Sequence, residues 1–381
     1  MIEELAILAS AAFVVAWLVI YLVSKKILNN TVDLPYLNEP TDCKVSVIIP
    51  VRNEENNIRR CLTSVLNLVG VKKEIIVVDD NSTDNTWQIL QKFNSVGVKA
   101  VPAGRTPDGW MGKSWACHVG YLNSTGEWLL FTDADSEFSP EVVMHAVNTA
   151  KQNGLEFVSI YPRFRMNSAL HRLAMPILLT GFYVFGKPHL VKYGKSAFAF
   201  GSFILVKREA YERIGGHYAV RDAVLEDRAL ALAAKRASLR AELFKAFDRL
   251  LSSWNDDSRS LWHGMIRIFL PLSLKNPLRT VIVFSVLTSV CLAIPILTII
   301  AEAYVLFAAA HAAAAVVAGL ESRRHSSSFF NGFLWPVGVA AIMAAALTAL
   351  VKAATNPTVV WRGRKYLIKP GETHEKVVVI S

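Results

Sequence analysis

The chain has 381 residues, of which 52% are hydrophobic, and carries a formal net charge of +10. Its basic residues are scattered or lie beside apolar segments, which argues against a nucleic-acid-binding protein and favours contact with an anionic membrane surface or a phosphate-bearing ligand. The four cysteines, Cys43, Cys61, Cys117 and Cys291, show no CxxC spacing. They predict neither a zinc site nor a disulfide framework, and they are compatible with a reducing compartment.

The N-terminal segment predicts a membrane anchor. Residues 5–23 contain no charged side chain and are long enough to cross a bilayer. The chain opens with MIEE rather than with the basic stretch of a signal peptide, and Lys25 and Lys26 follow the apolar run. Since basic residues favour the cytoplasmic side, we predict an uncleaved anchor over residues 1–26 and a cytoplasmic domain after it.

Further apolar segments follow in the C-terminal third. Residues 280–320 are too long for one span and predict two, with a break near Glu302, and residues 329–351 predict one more. About three transmembrane helices are therefore expected over residues 280–352, before a basic tail at 353–381. Residues 251–279 predict an amphipathic interfacial segment. The apolar run 175–186 is short for a span and fits an interfacial, re-entrant or buried helix.

Between the two apolar regions, strand and helix patterns alternate. Short β-branched runs predict strands at 44–51, 74–80, 98–103 and 127–134. Helical spacing of apolar residues predicts helices at 53–68, 81–93 and 114–122. This alternation is typical of an α/β domain with a mostly parallel sheet, expected over residues 43–250, and ligands of such sheets bind beyond the carboxyl ends of the strands.

Acidic residues follow two of these strands, Asp80 after the second and Asp133 and Asp135 after the fourth. Each could simply cap a helix, but like charges gathered at one sheet edge favour a bound cation. No His or Cys lies at ligand spacing, so the expected ligand is Mg²⁺ or Mn²⁺ held by oxygen atoms and shared with the phosphates of a nucleoside diphosphate derivative. The chain has no P-loop and no GxGxxG after its first strand.

Five motifs occur in one order: VSVIIPVRNEENNI, IIVVDDNSTDNT, GKSWACHVG, LLFTDADS and GGH…LEDRALA. By the order of these motifs, residues 43–240 resemble the family 2 glycosyltransferases, which are inverting enzymes with the GT-A fold. The N-terminal anchor, GWMGKSWA and the tail VVWRGRKY also resemble a membrane subgroup that includes glycosyltransferases of hopanoid and carotenoid pathways.

The resemblance implies a role for each matching residue. A nucleotide-sugar site would be formed by Pro50, Arg52, Glu54, Asp80, Lys113 and Asp133. Asp135 would bind the metal.

The resemblance further implies that Asp227 is the catalytic base, with Glu226 beside it. Inverting sugar transfer needs such a base apart from the metal, to take a proton from the acceptor hydroxyl. Gly201, Ser202 and Glu226 match the acceptor side. His217 is either a further acceptor-side residue or a solvated loop histidine.

Together these features predict a membrane-bound, metal-dependent enzyme that moves one sugar from a nucleotide-diphosphate sugar to a lipid-type acceptor at the cytoplasmic face. One alternative is a polyprenyl-phosphate glycosyltransferase. Another is a processive polysaccharide synthase, disfavoured because the region of Arg259 and Trp262 lacks a QxxRW motif. The remaining alternative is a non-catalytic membrane subunit that binds nucleotide.

Overall fold

The computed structural model describes residues 2–288, 296, 299, 300, 302, 304–369 and 376–380, and the chain falls into two compact units. The helical unit comprises Met1–Asn30, Arg165–Gly186 and Asn255–Val359. The sheet unit comprises Thr31–Phe164, Lys187–Trp254 and Val360–Ser381. Cys291 lies outside the described residues, as does most of the segment in which the first two C-terminal spans are predicted to meet.

The described strands are β1 (Lys44–Val51), β2 (Lys72–Asp79), β3 (Val98–Pro102), β4 (Trp128–Phe131), β5 (Glu137–Phe138), β6 (Phe157–Tyr161), β7 (Arg163–Phe164), β8 (Ile204–Lys207), β9 (Ala241–Lys245), β10 (Leu250–Ser252), β11 (Thr358–Trp361), β12 (Arg364–Lys369) and β13 (Lys376–Ile380). The described α-helices are α1 (Ile2–Asn30), α2 (Ile58–Leu66), α3 (Thr86–Phe93), α4 (Gly112–Leu122), α5 (Val142–Gln152), α6 (Ala169–Gly186), α7 (Arg208–Arg213), α8 (Gly216–Ala219), α9 (Glu226–Arg236), α10 (Ser258–Lys275), α11 (Pro277–Thr288), α12 (Tyr304–Arg324) and α13 (Trp335–Thr355).

The main sheet has seven strands in the order β3-β2-β1-β4-β8-β6-β9. The pairs β1–β2, β2–β3, β1–β4 and β6–β9 are parallel, and β8 runs antiparallel to both β4 and β6. This confirms the predicted α/β fold with a mostly parallel sheet. The carboxyl ends of β1, β2 and β4 therefore lie at one edge, where ligands of such sheets bind.

The central strand β1 shows why the sheet forms. All its residues after Lys44 are buried, so both faces of the strand are covered. Val45, Val47 and Ile49 pack into one apolar core, and Ile48 packs into the core on the opposite face, which also contains residues of α4. Burial on both faces is typical of parallel sheets and accounts for the continuous β-branched run.

The helices that follow β1 and β2 begin later than predicted. Helix α2 begins at Ile58 rather than at residue 53, and α3 begins at Thr86 rather than at residue 81. Asn53 and Asn81 both have positive φ, at 52° and 55°, a conformation that a helix does not allow. Since Asn, Asp, Ser and Thr side chains compete for backbone hydrogen bonds, these polar stretches form loops at the strand ends.

The helical unit contains α1, α6 and α10 to α13. Within the described residues, four stretches are long and apolar enough to cross a membrane: Ile7–Asn30, Ala169–Tyr193, Tyr304–Arg324 and Phe329–Thr355. The second includes the run 175–186, which is therefore part of a longer helix than its apolar core suggests. The predicted interfacial segment contains α10, whose first turn is capped by Asp257 through Ser260 N at 2.7 Å.

The tail is a folded element of the sheet unit. Strand β12 pairs antiparallel with β13, and the turn before β12 contains Arg362 and Gly363, both with positive φ. Tyr366 is fully buried, and the side chains of Arg362 and Arg364 are partly buried. The residues 360–369 therefore belong to the structure around the sheet edge.

Candidate active site

The loops at the sheet edge are joined to one another by backbone hydrogen bonds. Asp80 N donates to Val51 O at 2.8 Å, which links the ends of β2 and β1. Thr132 N donates to Ile48 O at 3.1 Å, which links the residue after β4 to β1. The predicted site residues that follow these strands are thereby held next to one another.

Asp80 is the most buried acid at this edge, with 1% of its surface exposed. Its Oδ2 accepts a hydrogen bond from Arg364 Nη1 at 2.6 Å, and its Oδ1 accepts one from Thr106 Oγ1 at 3.3 Å. Burial raises the pKa of Asp80, although the neighbouring Arg364 and Arg52 act in the opposite direction. The carboxylate is thus held by a residue 284 positions further along the chain.

Arg52 and Glu54 also contact the tail. Arg52 Nη1 donates to the carbonyl oxygens of Asp80 and Asn81 at 2.5 and 2.9 Å, and its Nε donates to Arg362 O at 2.9 Å. Glu54, 9% exposed, accepts a hydrogen bond from Arg362 Nη2 on Oε1. These contacts join the β1 loop to both the β2 loop and the tail.

Pro50 differs from the other predicted nucleotide-site residues because it lies within a strand. It is buried in β1, opposite Val78 of β2. Its contribution is therefore to the backbone that precedes Arg52.

Lys113 lies between Asp133, which follows the fourth strand, and Glu226, which precedes the predicted base Asp227. Its Nζ lies 2.6 Å from Asp133 Oδ1 and 2.5 Å from Glu226 Oε1. Burial disfavours the charged lysine, but the carboxylates of Asp133, Glu226 and Asp227 outweigh it and raise the pKa of Lys113. Residues from α4, α9 and the loop after β4, separate in sequence, therefore form one charged cluster, which we call the lysine cluster.

Asp227 lies in the first turn of α9, next to Glu226. Burial and, after it, repulsion from Glu226 raise the pKa of Asp227 to about 6, while Lys113 opposes the shift. A carboxyl group with this pKa is ionised at neutral pH and remains a better proton acceptor than an exposed aspartate. The cluster thus contains a carboxylate suited to act as a general base.

Asp135 is half-buried, and its Oδ1 accepts a hydrogen bond from Ser252 Oγ at 3.1 Å. In the described part of the chain, no group of three or more His, Cys, Asp or Glu side chains is placed to hold a metal ion. The candidate metal ligands after β4 are the carboxylate oxygen atoms of Asp135 and Asp133. Such a set fits a hard cation that completes its coordination with substrate phosphates, since Mg²⁺ is commonly bound by one or two carboxylates.

Gly201 and Ser202 border the lysine cluster. A Cβ atom at Gly201 would lie 3.0 Å from both Asp133 Oδ2 and Lys113 Nζ, so a larger residue would crowd this pair. Ser202 O accepts a hydrogen bond from Thr132 Oγ1 at 2.7 Å, while the buried Ser202 Oγ has no hydrogen-bond partner among the described residues. Of the three residues predicted on the acceptor side, Gly201 and Ser202 lie beside Asp133, and Glu226 contacts Lys113.

His217 is buried, with 2% exposure, so its interpretation as a solvated loop residue is wrong. Its Nδ1 lies 2.9 Å from Tyr211 Oη, and its ring packs against Phe131. Burial and, after it, repulsion from Lys113 lower the pKa of His217 to about 3, so the ring is neutral.

Sequence reasoning missed the side chains that hold Asp80 and Glu54. Thr106, Arg362, Arg364 and Tyr366 lie within contact of the predicted nucleotide site, yet only the motif VVWRGRKY drew attention to the tail. The sequence did contain a signal for these contacts, since Arg362 and Arg364 flank a glycine in the tail. The tail was interpreted only as a basic segment.

Residues 46–215 match the family model described as Glycosyl transferase family 2. This region is a family 2 glycosyltransferase domain. The match confirms the predicted family and includes Asp80, Lys113, Asp133 and Asp135. Glu226 and Asp227 lie beyond its end.

Curated relatives of the glycosyltransferase domain include two named 4,4'-diaponeurosporenoate glycosyltransferase. The one from Staphylococcus haemolyticus (strain JCSC1435) is 30% identical over 208 residues, covering 54% of this chain and 55% of the relative. The one from Staphylococcus aureus (strain USA300) is 30% identical over 211 residues, covering 53% of this chain and 54% of the relative. The chain thus spans about half the length of these relatives.

A solved structure shares the fold. The mannosyltransferase PcManGT from Pyrobaculum calidifontis, in complex with GDP-Man and Mn²⁺, has a TM-score of 0.54 and 23% sequence identity. The likeness covers 92% of this chain and 99% of the mannosyltransferase. This agrees with the GT-A type of glycosyltransferase fold predicted for the domain.

Proposed function

We propose that the chain is a membrane-bound inverting glycosyltransferase that moves a single sugar from a nucleotide-diphosphate sugar to a lipid-type acceptor. The observation that carries this proposal is the lysine cluster, in which Asp133, Lys113 and Asp227 meet at the ligand-binding edge of a glycosyltransferase domain. The four apolar helices support a membrane location, and we place the catalytic domain at the cytoplasmic face.

The names of the relatives support the choice of acceptor. Both are named as glycosyltransferases of 4,4'-diaponeurosporenoate, a carotenoid-type molecule. An apolar acceptor of that kind stays in the bilayer, so its enzyme must work at the membrane surface. We therefore propose an acceptor with a hydroxyl oxygen on a long apolar body.

In the proposed reaction, ionised Asp227 accepts the proton of the acceptor as its oxygen forms a bond to C1 of the sugar. The bond between C1 and the phosphate oxygen breaks, and the nucleoside diphosphate leaves with the bonding electrons. Attack from the face opposite the leaving group inverts the configuration at C1. Lys113, held by Asp133 and Glu226, places a positive charge where the diphosphate gains negative charge.

We propose that the predicted nucleotide-site residues, Arg52, Glu54 and Asp80, line the donor side of this edge. Asp135, next to Asp133, would hold Mg²⁺ or Mn²⁺, and the ion would neutralise charge on the departing diphosphate. The Mn²⁺ bound by the similarly folded mannosyltransferase supports this assignment. Gly201 and Ser202, which lie beside Asp133, and Glu226 would contact the acceptor.

The proposal is tested by incubating the full chain in detergent with native lipid extract and a panel of nucleotide sugars. We expect one donor to release nucleoside diphosphate with Mn²⁺ or Mg²⁺, to stop releasing it with EDTA, and to yield a lipid carrying one sugar with inverted configuration. Absence of metal-dependent release from every donor would refute the proposal. A product with many sugars would instead support a processive synthase.

A further inference from the structure

The tail strand β12 lies against the part of the site assigned to the nucleotide. Arg364 Nη1 donates to Asp80 Oδ2 at 2.6 Å and to Thr106 Oγ1 at 2.9 Å. Tyr366 Oη accepts a hydrogen bond from Gly112 N at 3.3 Å, at the first residue of α4. All these residues belong to the sheet unit.

The contact between Asp80 and Arg364 is not easily broken. Asp80 is 1% exposed, and the side chain of Arg364 is 17% exposed. Removing one partner of a buried ion pair leaves an uncompensated charge, which is costly. The tail also contacts Gly112, which adds a second contact between β12 and this edge.

The charges around the tail favour an anion. The Arg52 guanidinium donates to the main-chain carbonyl oxygens of Asp80, Asn81 and Arg362. These oxygen atoms carry no formal charge, so they do not neutralise the guanidinium. Burial and, after it, repulsion from Arg364 lower the pKa of Arg52, although the carboxylates of Asp80 and Asp79 act in the opposite direction. A phosphate group between the two guanidinium groups would relieve this repulsion.

Arg364 is able to bind such a group while it stays paired. Asp80 and Thr106 both accept from Nη1, Tyr366 also hydrogen-bonds with the Arg364 side chain, and a guanidinium has further N–H donors beyond these contacts. Gly112 lies beside Arg364 and Tyr366, and the next residue, Lys113, belongs to the lysine cluster. An anion at the arginines would therefore lie beside the proposed site of sugar transfer.

We propose that Arg364 and Arg52 together bind the nucleoside diphosphate of the donor. Asp80, Thr106 and Tyr366 position the Arg364 side chain for this contact. The tail then forms part of the donor site, although it lies some 145 residues beyond the end of the family match. The inference rests on the proposed function, because it takes the bound anion to be the donor.

Equilibrium binding of nucleoside diphosphates to the full chain in detergent tests this assignment without requiring turnover. The probes are UDP, GDP, ADP and CDP with Mn²⁺, and the variants are Arg364→Gln, the double variant Asp80→Asn/Arg364→Gln, and Lys365→Gln as control. Lys365 is on the same strand and is exposed, so its replacement removes the same charge away from Asp80. We expect Arg364→Gln to weaken binding of the preferred nucleotide about tenfold or more, and Lys365→Gln to change it less than about twofold.

The double variant distinguishes two roles of Arg364: contact with the diphosphate, and neutralisation of the Asp80 carboxylate. Asp80→Asn alone is measured beside it, because Asp80 itself lines the proposed donor site. If Arg364 only compensates the charge of Asp80, the double variant binds as well as Asp80→Asn, which overturns the inference. If Arg364 contacts the diphosphate, the double variant binds about tenfold or more weakly than Asp80→Asn. Equal binding by Arg364→Gln and Lys365→Gln, or no binding of any of the four nucleotides to the unaltered chain, would also overturn it.

Sugar transfer is measured on the same variants, so that failure of this inference can be distinguished from failure of the proposed function. Binding that depends on Arg364, in a chain that transfers no sugar to any acceptor, contradicts the proposed function and supports the inference. Transfer with the same donor KM in Arg364→Gln and Lys365→Gln supports the proposed function and contradicts the inference.

Discussion

Asp227 and Lys113 show how neighbours change the chemistry of single residues at this site. Asp227 has its pKa raised to about 6 by burial and by Glu226, whereas carboxylates raise the pKa of Lys113 despite its burial. Opposite charges thus stabilise the lysine as a cation, and the crowding of like charges makes the aspartate basic.

Replacing Asp227 tests its role as base. We expect Asp227→Asn to lower kcat by about 10²–10⁴-fold, because the acceptor proton then has no recipient. In the unaltered enzyme, activity should rise with pH as Asp227 ionises, with a midpoint near its pKa of about 6. Steady-state rates over this pH range check both, with Asp42→Asn as control since Asp42 is exposed. Near-normal turnover by Asp227→Asn would favour an acceptor that is already a phosphate.

The same substitution has an expected effect on stability. Folding raises the pKa of Asp227 from 3.8 to about 6, so its contribution to stability is complete below about pH 4 and is lost as the pH rises through 6. Asp227→Asn keeps the uncharged form at every pH. We expect it to be more stable than the wild type at pH 7.5, by on the order of 1 kcal/mol, and equally stable at pH 4. Thermal unfolding in detergent at both pH values measures this, and a less stable variant at pH 7.5 would contradict it.

The pair of Lys113 and Glu226 is suited to a double-mutant cycle. We expect Lys113→Met to destabilise the fold by about 2 kcal/mol because it removes the cation between two partly buried carboxylates, and Glu226→Gln to offset part of this in the double variant. The exposed pair Lys72 and Asp42 is the matched control, with expected coupling below about 0.5 kcal/mol. Equal coupling energies in the two cycles, measured by denaturant unfolding, would count against a structural role for Lys113.

At the scale of elements, the site depends on where loops and the tail meet the sheet. Helices α2 and α3 start several residues after β1 and β2, and the intervening loops carry Arg52, Glu54 and Asp80. Strand β12 then fills the space next to α4. The proposed donor side would therefore be formed by segments from both ends of the sheet unit.

Gly112 is a position at which α4 packs closely against the tail. A Cβ atom there would overlap Asp80 Oδ2 and would lie 2.5 Å from Arg364 Nη1, so Gly112→Ala must displace both side chains. We expect a loss of about 1–3 kcal/mol in stability together with weaker nucleotide binding. Gly181→Ala is the control, because Gly181 is also in a helix and no atom of the described residues lies within 4 Å of the added atom. Thermal unfolding that shows the same effect for both variants would disprove close packing at Gly112.

At the scale of the whole molecule, apolar helices from distant parts of the sequence belong to one unit. Phe13 and Trp17 of α1 pack against Trp335 of α13, with ring centroids 5.8 and 5.6 Å from that of Trp335. The N-terminal helix is thus part of a packed helical unit rather than an isolated anchor.

Membrane attachment should therefore survive removal of α1. We expect both the full chain and a variant lacking residues 2–30 to stay in the membrane fraction after alkaline carbonate extraction, because three further candidate spans remain. Immunoblotting of pellet and supernatant measures this, with a peripheral membrane protein of the host as control. Release of the shortened chain would mean that α1 provides most of the attachment.

The sequence by itself determined strands β1 to β4, the acids that follow β2 and β4, and the apolar segments near the N-terminus and in the C-terminal third. Strands β1 and β2 could be predicted because burial on both faces requires continuous apolar runs, and Asp80 and Asp133 follow such runs directly. Their placement at one edge followed from the parallel order alone. These features depend on residues close in sequence, which periodicity and spacing report.

Only the tertiary structure decided which side chains surround these acids. Arg364 is paired with Asp80 across 284 positions, and no local pattern indicates such a contact. The burial of His217 and the contact of Lys113 with both Asp133 and Glu226 depend in the same way on the path of the chain. A pKa is set by burial and by charges within a few ångströms, so the basic character of Asp227 became apparent only when those neighbours were known.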